Sequence, residues 1–181
     1  MKKIIALALS LMLLLGCVSA LAEGKESVTM LGSFSIEYDQ LPEGYTLEIL
    51  RNTDLVFTAV INNTDNSKPF YVLTMEFSDE WDGVNTLADA SESDIKAVKQ
   101  DFYDVMELDE GALSFEDGQT GEGTPLLIAK SSDGSFGAVY TIYKSHEIEV
   151  DIFRSGDEPV SAEDVDRVVA FLTNVKFIPA K

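Results

Sequence analysis

The chain predicts a mixed α/β domain built on a largely antiparallel β-sheet, with helices on both faces in an α/β/α sandwich. Three observations carry this expectation. Leu126-Leu127-Ile128-Ala129 is apolar at every position, as a strand covered on both sides would be. Gly137 to Tyr143 is dense in β-branched and aromatic residues, and Ile148, Val150 and Ile152 then alternate with Glu147, Glu149 and Asp151, the period-2 signature of a strand with one wetter face. Two amphipathic segments, near residues 91–106 and 161–174, supply the covering helices.

The pairing of the 137–143 and 148–152 strands has two solutions. A two-residue turn joins Val139, Thr141 and Tyr143 to the face of Ile148, Val150 and Ile152. A three-residue turn at Lys144-Ser145-His146 instead joins Ala138, Tyr140 and Ile142 to it. A slip of one residue moves a whole set of side chains across the sheet. The second solution is preferred, because it leaves an all-apolar core face and gathers Thr141 with the acids on the wetter side.

Residues 1–22 read as an export signal. Lys2 and Lys3 form a positive start, and Ile4 to Leu15 is an apolar run broken only by Ser10. That run is short for a membrane span of about 20 residues, so no spanning segment is expected. Ala20-Leu21-Ala22 is a small-x-small site that predicts cleavage between Ala22 and Glu23. Leu14-Leu15-Gly16-Cys17 resembles a lipobox, with Cys17 as a lipidated N-terminus and the only membrane anchor. The first is preferred, since Leu15 is large for a lipobox and no polar tether follows Cys17. The signal implies a secreted or extracytoplasmic bacterial protein, with 23–181 as one domain.

Loss of Lys2 and Lys3 takes the formal charge from −19 to −21. Such a surface disfavours nucleic acid, whose phosphates need a basic patch, and anionic membrane. Its plainest role is solubility. Cys17 is the sole cysteine, so the fold rests on its hydrophobic core and not on a disulfide.

In chain order, Glu23 to Ser27 reads as a disordered lead. Gly32 to Tyr38 and Tyr45 to Leu50 are strands joined by a Leu41-Pro42-Glu43-Gly44 turn. Leu55 to Ile61 and Phe70 to Phe77 form a hairpin across the polar 62–69 loop. Ser91 or Ser93 caps the first helix, whose core stripe is Ile95, Val98, Phe102, Val105 and Met106, with Gly111 as its stop. Asp109 to Thr124 reads as a long acidic connection. Ser161 caps the second helix in a capping-box pattern with Asp164. Val165, Val168, Val169 and Leu172 face inward there, Asn174 ends it, and Val175 to Ile178 is a closing edge strand.

This order, with Ser-Phe-Ser-Ile-Glu-Tyr before a Pro-Glu-Gly turn and a closing helix-strand over Val165 to Phe177, resembles the PsbP-like proteins, named after the extrinsic subunit of photosystem II. The resemblance implies a non-enzymatic α/β/α domain and carries the fold alone.

Candidate chemistry is sparse. His146 is the only histidine and sits in an expected turn; Ser145 is its neighbour in sequence, but adjacent residues on a tight turn seldom form a nucleophile–base geometry. Zinc ligands are too few for a site. Gly118, Gly121 and Gly123 lack the lysine and strand of a phosphate loop. Acids crowd around Trp81 (Asp79, Glu80, Asp82) and in the connection (Asp109, Glu110, Glu116, Asp117), but none has EF-hand spacing. Trp81, Tyr71, Tyr103, Tyr140 and Tyr143 read as core aromatics. No catalytic, cofactor or metal residue is therefore assigned. The expectation is a non-catalytic binding or accessory module, with an envelope protein as the candidate partner. The alternative is a weak calcium-binding acidic domain, with a hydrolase third.

Overall fold

The computed structural model describes residues 25–29, 34–39, 41–154 and 158–179. The cleavage site at Ala22 and Glu23 and the lipobox at Cys17 lie outside the described residues.

Among the described residues, ten strands and two α-helices follow in order: β1 (Lys25–Thr29), β2 (Phe34–Asp39), β3 (Tyr45–Asn52), β4 (Val56–Asn63), β5 (Phe70–Phe77), α1 (Glu92–Val105), β6 (Leu113–Gln119), β7 (Pro125–Ser131), β8 (Gly137–Tyr143), β9 (His146–Phe153), α2 (Ala162–Asn174) and β10 (Lys176–Pro179). A seven-stranded sheet runs β3-β4-β5-β9-β8-β7-β6, antiparallel throughout. A separate three-stranded sheet runs β1-β2-β10. The mixed α/β class holds.

Local chemistry explains both helices. Ser91 and Ser161 accept from the backbone N–H of Asp94 and Asp164, and each aspartate bonds back to its cap residue's N–H, which closes two capping boxes. Asp164 goes further. Fully buried, it accepts from Arg154 Nε at 2.9 Å and Nη2 at 3.1 Å as well as from Ser161 N. Burial alone would push its carboxyl up, but Arg154 and the Ser161 bonds outweigh that and hold it below the ordinary range.

Alternation along the central strands divides the buried residues into two clusters. Leu126, Val139, Ile148, Val150 and Ile152 share one with Phe57 and Leu73 of the large sheet, Ile36 and Tyr38 of β2, and Val165, Val168 and Leu172 of α2. Leu127, Ala129, Ala138, Tyr140 and Ile142 share the other with Val98 and Phe102 of α1, Trp81 and Phe136. Each fully buried aliphatic contributes roughly 1.5–3 kcal/mol.

Several expectations are corrected. The β8–β9 hairpin takes the two-residue turn: Thr141 pairs with Ile148 and Tyr143 with His146, leaving Lys144 and Ser145 as the loop at φ 47° and 65°. Two successive positive φ values give the turn whose twist matches the flanking strands. Thr141 therefore lies on the core face, 2% exposed, where its hydroxyl donates to Pro125 O at 2.8 Å. His146 begins β9 and is no part of the turn. The 109–124 connection contains a full edge strand, β6, paired with β7. Lys25 to Ser27 belong to β1 and not to a disordered lead. The final strand is an edge strand as expected, and the sheet it closes is the small one, against β2. The first helix stops at Val105, because Glu107 takes φ 53° and Leu108 N reaches back to Tyr103 O; Gly111 follows later. Val105, expected in the core stripe, is 73% exposed.

Candidate functional site: an acidic cleft beneath the first helix

The corrected register has a chemical consequence. Ala138, Tyr140 and Ile142 pair with Asp151, Glu149 and Glu147, so the three acids share a sheet face with three buried residues. That face is the one α1 packs toward, through Val98 and Phe102. Phe102 sets its ring edge-on to Tyr140 at 6.3 Å. Between α1 and the sheet lies a cleft of about 170 Å³.

Its floor is the row Glu147, Glu149 and Asp151, all half-buried. Its walls are Val98 and Phe102 from α1 and Met106 just past its end, with Phe136. Glu80, Asp94 and Asp101 stand at its rim, and no basic residue is among the described residues that line it. Trp81 closes one end. It is held on a short 3-10 turn, Asp79–Trp81, capped by the Ser78 hydroxyl. Its indole Nε1–H donates to Glu147 Oε1 at 2.6 Å. The expected core role of Trp81 holds, at 4% exposure, with this polar contact added.

The electrostatics follow from burial without compensation. Burial pushes the Glu147 carboxyl up, against the opposing Trp81 bond, and the charges of Glu76, Glu149 and Glu80 push the same way. Burial raises Glu149, opposed by its bond with Asp151. Asp151 stands well above the ordinary range, from burial first and then from the charge and hydrogen bonding of Glu149. The Glu149–Asp151 hydrogen bond links the titration of one to that of the other. The Tyr140 phenol is pushed up by burial and by the nearby charges of Glu147 and Glu149.

Two polar atoms here are left over. Tyr140 is 2% exposed, and its hydroxyl finds no hydrogen-bond partner among the described residues. Asp151 Oδ1 is buried in the same condition. Buried polar groups are nearly always paired, and each exception calls for an explanation.

Other candidates do not assemble. His146 is on the opposite face of β9 from the three acids, its Nδ1 bonded to Lys144 O at 2.8 Å and its ring against Phe77. Glu116 pairs with Lys130 at 3.1 Å across the β6–β7 pair. Asp109, Glu110 and Asp117 are exposed. Among the described residues, no three His, Cys, Asp or Glu side chains are grouped to hold a metal ion. No helix among them is long and apolar enough to cross a membrane.

Sequence reasoning places Glu147, Glu149 and Asp151 on a wet face and so passes over them. The available signal was an excess of apolar cover: Val98 and Phe102 need a sheet face to bury, and only the acid-bearing face has room. No protein-family model matches the chain, and no curated protein matches it in sequence.

Proposed function

We propose that the chain is an exported, non-catalytic binding or accessory module of the cell envelope or its exterior, and that the cleft beneath α1 is where it binds. The proposal includes a PsbP-like α/β/α layering, with α1 and α2 on opposite faces of the large sheet. Support for that layering comes from the partition of Val98 and Phe102 from Val165, Val168 and Leu172 between the two core clusters.

The observation that carries the binding reading is the buried Tyr140 hydroxyl, unpartnered among the described residues and set against the Glu147, Glu149 and Asp151 row. An unpaired buried hydroxyl is a cost to the fold, and a polar ligand in the cleft would offset it. The separation of His146 from these acids favours binding over acid–base catalysis.

The test is an NMR titration of the purified protein with a small-fragment set that spans cationic, neutral and anionic members. Shift changes should cluster on Ala138, Tyr140 and Ile142 and on the facing residues of α1. Changes confined to other surfaces, or none, would overturn the reading. Calcium and magnesium at equal ionic strength are expected to give the same thermal shift. A calcium-specific, saturating shift would favour the calcium alternative. Export itself rests on residues 1–22. The intact mass of protein from its host distinguishes a chain starting at Glu23 from one lipidated at Cys17.

A further inference from the structure

The cleft has two parts of opposite character, and a ligand must satisfy both. Glu147 is engaged with Trp81, which leaves Glu149, Asp151 and the Tyr140 hydroxyl as the polar end. Val98, Phe102 and Phe136 form an apolar wall beside it. Resting on the reading of this cleft as a binding seat, we infer that it takes a primary ammonium on an unbranched alkyl stem, with the –NH3+ among Glu149, Asp151 and Tyr140 and the stem along the apolar wall.

The donor count fits. An ammonium carries three N–H donors and no acceptor, and the polar end offers two carboxyls and a hydroxyl oxygen. It would give Tyr140 and Asp151 Oδ1 the partners they lack among the described residues. The charge fits as well. Two neighbouring half-buried carboxyls resist ionising together, which raises both, and a cation in the cleft would favour their charged forms. The groups facing the pair from the surrounding elements are Glu147 on β9, Tyr140 on β8, Glu76 at the end of β5, Glu80 on the Trp81 turn, and Asp94 and Asp101 on α1. None carries a positive charge, and the rim acids draw a cation inward. A cleft of about 170 Å³ admits a short chain and excludes a bulky substrate. The same chemistry is found in a free alkylamine and in a lysine side chain.

The experiment is calorimetric titration, with NMR mapping, of the protein with n-pentylammonium chloride, N-acetyl-lysine methylamide and 1-pentanol at constant ionic strength. The amines should bind one to one with shift changes at Tyr140, and pentanol should not. Tyr140→Phe, which keeps the ring in place, should weaken amine binding by about tenfold or more through loss of a charged hydrogen bond. Glu149→Gln with Asp151→Asn should remove binding, and Asp109→Asn on the exposed loop should not. Tighter binding of pentylammonium than of the lysine derivative supports a free amine as the natural ligand, and the reverse supports a lysine side chain. Pentanol binding as tightly as the amines would overturn the inference, as would amine binding that survives the double substitution in a variant with a native-like spectrum. A neutral fragment that shifts Tyr140 where pentylammonium does not overturns the ammonium inference alone. Silence at the cleft across every fragment overturns the binding seat too.

Discussion

Tyr140 stands directly opposite Glu149 across the β8–β9 pair. An aromatic ring that is almost fully buried thus has an acid as its cross-strand partner, and both face α1. With the alternative register, Tyr140 would share a face with Ile148 and Val150, the acids would look outward, and no cleft chemistry would exist.

The turn that sets this register can be tested. Lys144 and Ser145 both hold positive φ, which costs side chains energy that Asn and Gly avoid. Lys144→Asn with Ser145→Gly should stabilise the domain by roughly 0.5–1 kcal/mol. Ser145→Val should destabilise it by about 1–2 kcal/mol, since a β-branched residue is a genuine outlier there. Urea unfolding midpoints check both. Equal and small effects would mean that the turn is not of this kind.

The acid pair makes a pH prediction. Glu149 and Asp151 are raised by burial, so between the ordinary carboxyl range and their folded values the native state holds more protons than the unfolded chain. Their contribution to stability therefore falls as pH rises through that window. Glu149→Gln with Asp151→Asn should flatten the decline above the ordinary carboxyl range and stabilise the protein at neutral pH by roughly 0.5–2 kcal/mol. An unchanged slope in the double variant would contradict the raised pair.

Asp164 has the opposite sign. Its carboxyl is held below the ordinary range, so the stability it adds is present above that range and lost as pH falls through its folded value. Asp164→Ala leaves Arg154 with Glu158 as its remaining acid partner and removes the aspartate half of the α2 capping box, and should cost about 1.5–3 kcal/mol at neutral pH. Val168→Asp, which places a charge in the core between α2 and the sheet, should be comparably severe. Thermal melts of the two variants decide this, and a loss under 1 kcal/mol in either would mean that the packing of α2 is misplaced.

These tests separate what the chain makes legible from what it hides. The first helix cap is read only as Ser91 or Ser93, of which the structure uses Ser91, while the Ser161 cap is readable, because a Ser three residues before an Asp is a hydrogen-bond pattern written locally. So is the 70–77 strand, and so is the inward face of Val165, Val168 and Leu172. The 109–124 segment is harder to read. Glu116, Asp117 and Gly118 look like a loop by composition, yet Gly118 is in a strand where a Cβ would come within 2.8 Å of Ile128 Cδ1. The hairpin register is hidden for a different reason. Neither Lys144 nor Ser145 belongs to the residue types that announce a positive-φ turn. The cleft depends on that register and on a helix whose contacts are distant in sequence, so the same acids read as solvated until α1 is set above them.

The account turns on Glu149 and Asp151 facing a covered cleft that accepts a cation. Carboxyl-carbon NMR of these two residues, followed through a pH titration with and without saturating n-pentylammonium chloride, tests it most directly. Both carboxyls should titrate above the ordinary range in the free protein, as one coupled pair, and should move down when the amine is bound. Two independent titrations in the ordinary carboxyl range, unmoved by the amine, would contradict it.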